Sequence, residues 1–231
     1  MTLRIGFGLG LLISLLLATS SFADSDPARE ALEKLNDFVG DWKGAGSTSN
    51  KKENWSETLT WGWRFQGGPP SLIGEFRGAK DWNRAQLTYD PPSKKYRLVT
   101  TDSGGKQRFF EGEYKRGFLT LDSTEAASGE TLRIRMNSAG EGLRFVYSLQ
   151  RRPKGSTIFT PVYQVEAGKV GESLAGGTPE RECVVTGGRG TIPVTYQGKT
   201  YYVCCSGCRD AFNENPEKIL KEYAERKKKE K

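Results

Sequence analysis

Four cysteines, Cys183, Cys204, Cys205 and Cys208, hold the reactive sulfur of a 231-residue chain that contains no histidine. Without imidazole, Ser-His-Asp and Cys-His nucleophile systems lack their base. No Gly-rich loop stands between a strand and a helix to cradle phosphate. The carboxylates Glu57, Glu75 and Glu111 have no partner that the sequence identifies, so the chain reads as a non-enzyme. Three thiols in five residues then leave two main chemistries. Thiolates without imidazole suit a soft or borderline ion, Cu(I) or Zn(II) ahead of Mg(II) or Ca(II). Thiols in an oxidising compartment instead pair as disulfides, and here Cys183 with Cys204 or Cys208 is the natural bridge, because a Cys204–Cys205 bridge is strained. A thiol–disulfide oxidoreductase ranks last, because the chain is read as lacking the Cys-x-x-Cys pair at a helix start that lowers a thiol's pKa.

The elements around the thiols point to a small metal-binding fold. "TIPVTYQGKTYYV" reads as two short strands joined at Gln197-Gly198, and the cysteine turn follows directly. Phe212 repeats four positions after Cys208 on one helical face, and Asn215-Pro216 supplies an N-cap and a first-turn proline for the helix "PEKILKEYAERKKK". The order is strand, strand, cysteine turn, helix, with Gly207 read as the residue that lets the turn tighten.

"ECVVTG", "VTYQGKTYYVCCSGC" and "CRDAFNENPEKIL" together resemble the TRASH/YHS family, small modules linked with heavy-metal trafficking, resistance and sensing. The resemblance spans residues 182–223 and implies that Cys183, Cys204 and Cys208 are metal ligands. Val184 replaces a proline common in the family, and Ile219 an aromatic residue. The fourth ligand of a zinc site is then Cys205, Glu182, a water or a donor from a metal-accepting partner protein. Cys205 ranks behind the other three, since adjacent cysteines seldom both reach one ion. The family match and the three-residue spacing rank metal ahead of disulfide.

The larger part of the chain must position or accompany this module. Trp55, Glu57, Leu59, Trp61, Trp63 and Phe65 alternate with Ser56, Thr58, Thr60, Gly62 and Arg64, the period of a half-buried strand. The same alternation returns at Leu132, Ile134 and Met136 and at Leu143, Phe145, Tyr147 and Leu149. Turn signals such as "DPPSKK", "DSGGKQ" and "SAGEG" separate about ten strands between Asp41 and Ala167. Consecutive hairpins leave two open edges unless the sheet closes, so the expected fold is mainly β: a ten-stranded antiparallel up-and-down barrel with a small C-terminal ββα module.

A short helix over Pro27–Leu35 leading into "FVGDWKGAG" resembles the start of a lipocalin-like or nitrobindin-like barrel. That resemblance implies an interior able to take a small apolar ligand; Trp61, Trp63 and Phe65 either line it or, the reading preferred for any one of them, simply fill the barrel or a sandwich core. A histidine-ligated haem is excluded for want of the ligand.

The chain's opening carries one positive charge, an apolar run from Ile5 to Ala18 and small residues at Ser21 and Ala23. This reads as a secretory signal peptide cleaved after Ala23, too short for the ~20 apolar residues of a membrane span. The expected protein is exported to the periplasm or beyond and does not span the membrane. Its expected divisions are signal peptide 1–23, helical segment 24–37, barrel 38–167, linker 168–181, cysteine module 182–223 and basic tail 224–231. The formal charge of +7 gathers partly in that tail, which reads as a solvated helix end ahead of a contact with anionic envelope surfaces, and not as a nucleic-acid site.

Overall fold

The computed structural model describes residues 26–171 and 181–229. The expected signal peptide and most of the expected linker therefore lie outside the described residues. Helix α1, Pro27–Glu33, starts on an Asp26 cap whose carboxylate accepts the Ala28 N–H at 2.9 Å. A 3-10 turn, Asn36–Phe38, leads into ten strands. These are β1 Gly40–Thr48, β2 Asn54–Arg64, β3 Ser71–Arg77, β4 Arg84–Asp90, β5 Lys95–Thr101, β6 Gln107–Lys115, β7 Phe118–Thr124, β8 Thr131–Ala139, β9 Arg144–Arg152 and β10 Thr160–Lys169.

Each strand pairs antiparallel with its sequence neighbours, and β1 pairs with both β2 and β10, which closes the barrel. The expected architecture and strand number are those observed. β10 runs to Lys169, two residues past the expected end, because Trp42 and Lys43 of β1 continue the ladder opposite Lys169 and Gly168.

Alternation fills the interior with rings. Glu57, Leu59, Trp61 and Trp63 of β2 turn inward and are buried. Phe145 meets Phe38 at 5.0 Å and Trp42 at 5.6 Å; Tyr147 meets Phe76, Trp82 and Tyr163 at 5.9–6.4 Å. Such edge and tilted contacts are the favoured arrangements of aromatic pairs. Among these rings Glu57 is 2% exposed, and its carboxyl accepts the Tyr147 hydroxyl at 2.7 Å and the Trp55 indole N–H at 2.8 Å. Burial, and then Glu57, raise the Tyr147 pKa far above that of a free phenol. Tyr163 is raised in the same way by burial and then Asp81.

One end of the barrel is covered by α1, which packs on β4 and β3 and receives the Tyr96 hydroxyl on the Ala31 carbonyl at 2.7 Å. The C-terminal module docks at this same end. It comprises the hairpin β11 Ile192–Tyr196 and β12 Lys199–Val203, then helices α2 Ser206–Glu214 and α3 Pro216–Lys229. Gln197 and Gly198 both take positive φ, as a tight two-residue hairpin requires.

The module therefore has two helices where one was expected. The cysteine turn is itself the start of α2, and Pro216, which offers no N–H, ends that helix and opens α3 on the Asn215 cap. A single hydrophobic cluster runs from the barrel core through Cys183, Val203, Cys208 and Phe212. The two parts share a core and are not independent bodies.

Candidate metal centre

β1 begins at Gly40, which faces Trp61 on β2. Beyond Trp61 that edge of β2 has no strand beside it, so the Trp63 backbone needs another partner. The start of α2 supplies it. The Trp63 N–H donates to Cys205 Sγ at 3.3 Å, and the Gly207 backbone lies against the Trp63 carbonyl. A Cβ on Gly207 would stand 1.7 Å from that oxygen. Gly207 is therefore required by the close approach of helix to strand, and its helical backbone is not the tight turn expected of it.

Three further contacts hold the module to the barrel end. The Trp63 indole donates to Asn36 Oδ1 at 3.1 Å, and Asn36 Nδ2 donates to the Thr186 carbonyl at 2.7 Å. Arg29 of α1 donates to the Val185 carbonyl. Thr186 in turn lies 3.6 Å from Cys204 Sγ. The loop bearing Cys183, the helix bearing Cys208 and the barrel rim are thus tied in one ring of hydrogen bonds.

Within that ring Cys183, Cys204 and Cys208 bring their sulfurs within 4.8 Å of one another, and Cys204 and Cys208 are 3.5 Å apart. The spacing has a simple origin: Cys204 follows the last residue of β12 and Cys208 sits in the first turn of α2, so the turn between them brings both sulfurs together, while the Cys183 loop is pinned beside β12 by the Val184 N–H on the Tyr202 carbonyl at 3.0 Å. All four cysteines are free thiols. Cys183 and Cys208 are fully buried, whereas Cys204 and Cys205 keep 6% and 7% exposure. Those two line a cleft of about 380 Å³ between the module and the ends of β1, β2 and β10, walled also by Asp41, Thr60, Lys169 and Arg189.

The thiols do not share their protons evenly. Hydrogen bonds from Cys204 and Cys208 pull the Cys183 thiol well below its usual range, and burial pushes Cys208 well above it. Cys204 is raised by its bond to the Cys183 sulfur. Cys205 is lowered by Cys204 and Cys208, with help from the Cys208 and Trp63 amides. Bonds to a charged sulfur favour the thiolate, and burial without them disfavours it.

This donor set fits one thiophilic ion. With metal–sulfur bonds of about 2.3 Å, sulfurs around a tetrahedral ion stand about 3.8 Å apart, within the spread the three cysteines show. Of the further candidate ligands, Glu182 turns its carboxylate to Arg226 at 3.4 Å and to Lys227. Cys205 turns its sulfur to the Trp63 amide.

The aromatic residues expected to line a ligand cavity are divided. Trp61 is 1% exposed inside the barrel, edge-on to Phe76 at 5.8 Å. Trp63 is buried at the rim under Asn36. Phe65 lies past the end of β2 and stacks on Trp63 at 5.2 Å, with the Arg29 guanidinium 5.9 Å from its ring centre, so it is a rim contact and not an interior wall.

Two features escaped the sequence reading. Cys205-Ser206-Gly207-Cys208 is itself a Cys-x-x-Cys, and it stands at a helix start with Cys205 as the N-cap residue of α2. Counting from Cys204 hid that spacing. The docking contacts through Asn36 and Gly207 carry no local signal, because each depends on a residue distant in the chain.

No family model matches this chain, and no curated protein matches it. Among solved structures it is similar to the crystal structure of Rv2717c from M. tuberculosis, with 17% identity and a TM-score of 0.40 over 60% of this chain and 96% of that one.

Proposed function

We propose that this protein is an exported, non-catalytic carrier of a thiophilic metal ion, held by the thiolates of Cys183, Cys204 and Cys208. The observation that carries the reading is the meeting of three buried sulfurs within 4.8 Å, contributed by a loop and a helix start far apart in sequence. The TRASH/YHS-like spacing supports a role in trafficking, resistance or sensing. The cleft at Cys204 and Cys205 supports a carrier over a closed structural site, since it offers an accepting protein's donor a path to the ion. Cu(I) and Zn(II) are the ions such a donor set favours. The ring-filled barrel serves as the platform that fixes the site. The alternative, an apolar-ligand barrel with a disulfide-stapled appendage, draws no support from free thiols and interior rings in mutual contact.

The test is metal content. Reduced chain purified anaerobically and incubated with Zn(II) or Cu(I) should retain about one ion after desalting. Cys208→Ser should lose it while keeping the β-sheet signal. If wild type and Cys208→Ser retain equal metal, the assignment fails.

A further inference from the structure

One cysteine is left over from the proposed site, and its placement is specific. Cys205 caps α2, a nine-residue helix, and Cys208 follows in the first turn. Residues three apart on a helix are neighbours, which is how a Cys-x-x-Cys pair comes within bonding reach. The two differ in access: Cys205 opens on the cleft of about 380 Å³, and Cys208 is sealed behind it. The Trp63 amide gives Cys205 Sγ a fixed donor at 3.3 Å on the barrel side; the thiol touches Cys204 and Cys208 but is not one of the three whose sulfurs all lie within 4.8 Å of one another.

We infer that Cys205 and Cys208 form a redox pair whose oxidation by an incoming disulfide strips the ion from its site. This rests on the metal-binding reading above for the ion, and on the Cys-x-x-Cys geometry alone for the pair. With the ion held by Cys183, Cys204 and Cys208, Cys205 is the thiol on the cleft that is not committed to it. Its thiolate attacks one sulfur of a low-molecular-weight or protein disulfide R–S–S–R, forming Cys205–S–S–R and expelling RS⁻. Cys208 sulfur then leaves the ion and attacks Cys205 Sγ, breaking the mixed disulfide, forming the Cys205–Cys208 bond and expelling the second RS⁻. Two electrons pass from the two cysteine sulfurs to the incoming disulfide, which leaves as two RS⁻ that take protons from solvent, where the Cys205 thiol proton has gone. Only Cys183 and Cys204 would then remain as donors to an ion, and a stronger acceptor would take it. Reduction of the pair restores the site.

The experiment treats the reduced, Zn(II)-loaded full chain with oxidised glutathione and follows zinc with a chromogenic chelator. Wild type should release about one equivalent, and tandem mass spectrometry should find Cys205 joined to Cys208. Cys205→Ala and Cys205→Ser should load zinc as wild type does but release it at least about tenfold more slowly. Equal release from either variant overturns the inference, as does a map joining Cys204 to Cys208 or Cys183 to any partner. The pairing is also mapped on metal-free chain oxidised in the same way. A chain that takes up neither Zn(II) nor Cu(I) yet forms Cys205–Cys208 would sink the metal reading and with it metal release, while retaining the redox pair. A chain that loads metal but forms another bridge would sink the pair and retain the metal reading.

Discussion

The barrel interior and the thiol cluster are both buried, the cluster all but for the 6% of Cys204 that meets the cleft, yet they are completed differently. Inside the barrel, rings press on rings, and the one buried carboxyl, Glu57, is met by Tyr147 and Trp55 from the same chain. In the module, three sulfurs crowd together with Thr186 and one another as their partners, and their protons are distributed unequally. Apolar burial is satisfied by packing alone. Crowded thiols can be satisfied by giving up their protons to solvent and binding an ion. The first region is finished by its own residues; the second, on the proposed reading, is finished by an added ion.

The largest expected effect tests the first half of that contrast. Phe145 is fully buried and touches Phe38, Trp42 and Tyr147. Phe145→Ala should cost the barrel about 3–5 kcal/mol, read from urea unfolding of the far-ultraviolet sheet signal, and by the same amount with and without metal. Chelation should shift that signal far less in wild type. If removing the ion lowers the barrel midpoint as much as Phe145→Ala does, the barrel is not complete without the ion and the contrast collapses.

A smaller effect sharpens it within the barrel. Tyr147→Phe removes the hydroxyl donated to Glu57 and leaves a buried acceptor short of a partner, at a cost of about 1–3 kcal/mol. The pH dependence gives a second signature. The folded pKa of Tyr147 is raised by burial and by Glu57, so its contribution is fully present below the unfolded value near about 10 and is lost as pH climbs beyond it. Tyr96, raised by burial to about 12, adds to the same loss. Wild-type stability should therefore fall more steeply above about pH 10 than that of Tyr147→Phe. Parallel alkaline curves would show that Tyr147 does not stay un-ionised in the folded chain.

What the sequence disclosed follows the same division. The period-two runs on β2, β8 and β9 and the turns between them announced a closed antiparallel barrel, because alternation is a local consequence of the pleat. Glu57 was visible as an inward position, but its partner Tyr147 lies 90 residues away and nothing local joins them. In the module, the spacing of Cys183, Cys204 and Cys208 pointed to a convergent site and the Cys-x-x-Cys of Cys205 and Cys208 was there to be read, whereas the contact of Cys205 with the Trp63 amide waited on the docking of α2. Phe65 continued the alternation by residue type, yet the strand had already ended at Arg64. Local periodicity reports which face a residue takes, and only tertiary contact reports where the element stops and what it meets.

The smallest effect belongs to neither interior but to the barrel's outer skin, and it provides the control for both. Glu113 on β6 sits between Lys95 and Lys115, which hold its carboxyl down to about 2, the bond from Lys115 weighing most. A depressed folded pKa contributes stability above the unfolded value near about 4.3, and that contribution is lost as pH falls from there toward the folded value. The group is exposed, so solvent and salt screen it, and surface pairs of this kind are weak. Glu113→Gln should thus be slightly less stable than wild type at neutral pH in low salt, with the gap closing both near pH 2 and in high salt. Neither zinc content nor the alkaline loss assigned to Tyr147 should change. A gap that persists undiminished in acid and in salt would mean that Glu113 supports the barrel through packing of its side chain, and the division between an inert outer skin and two demanding interiors would have to be redrawn at β6.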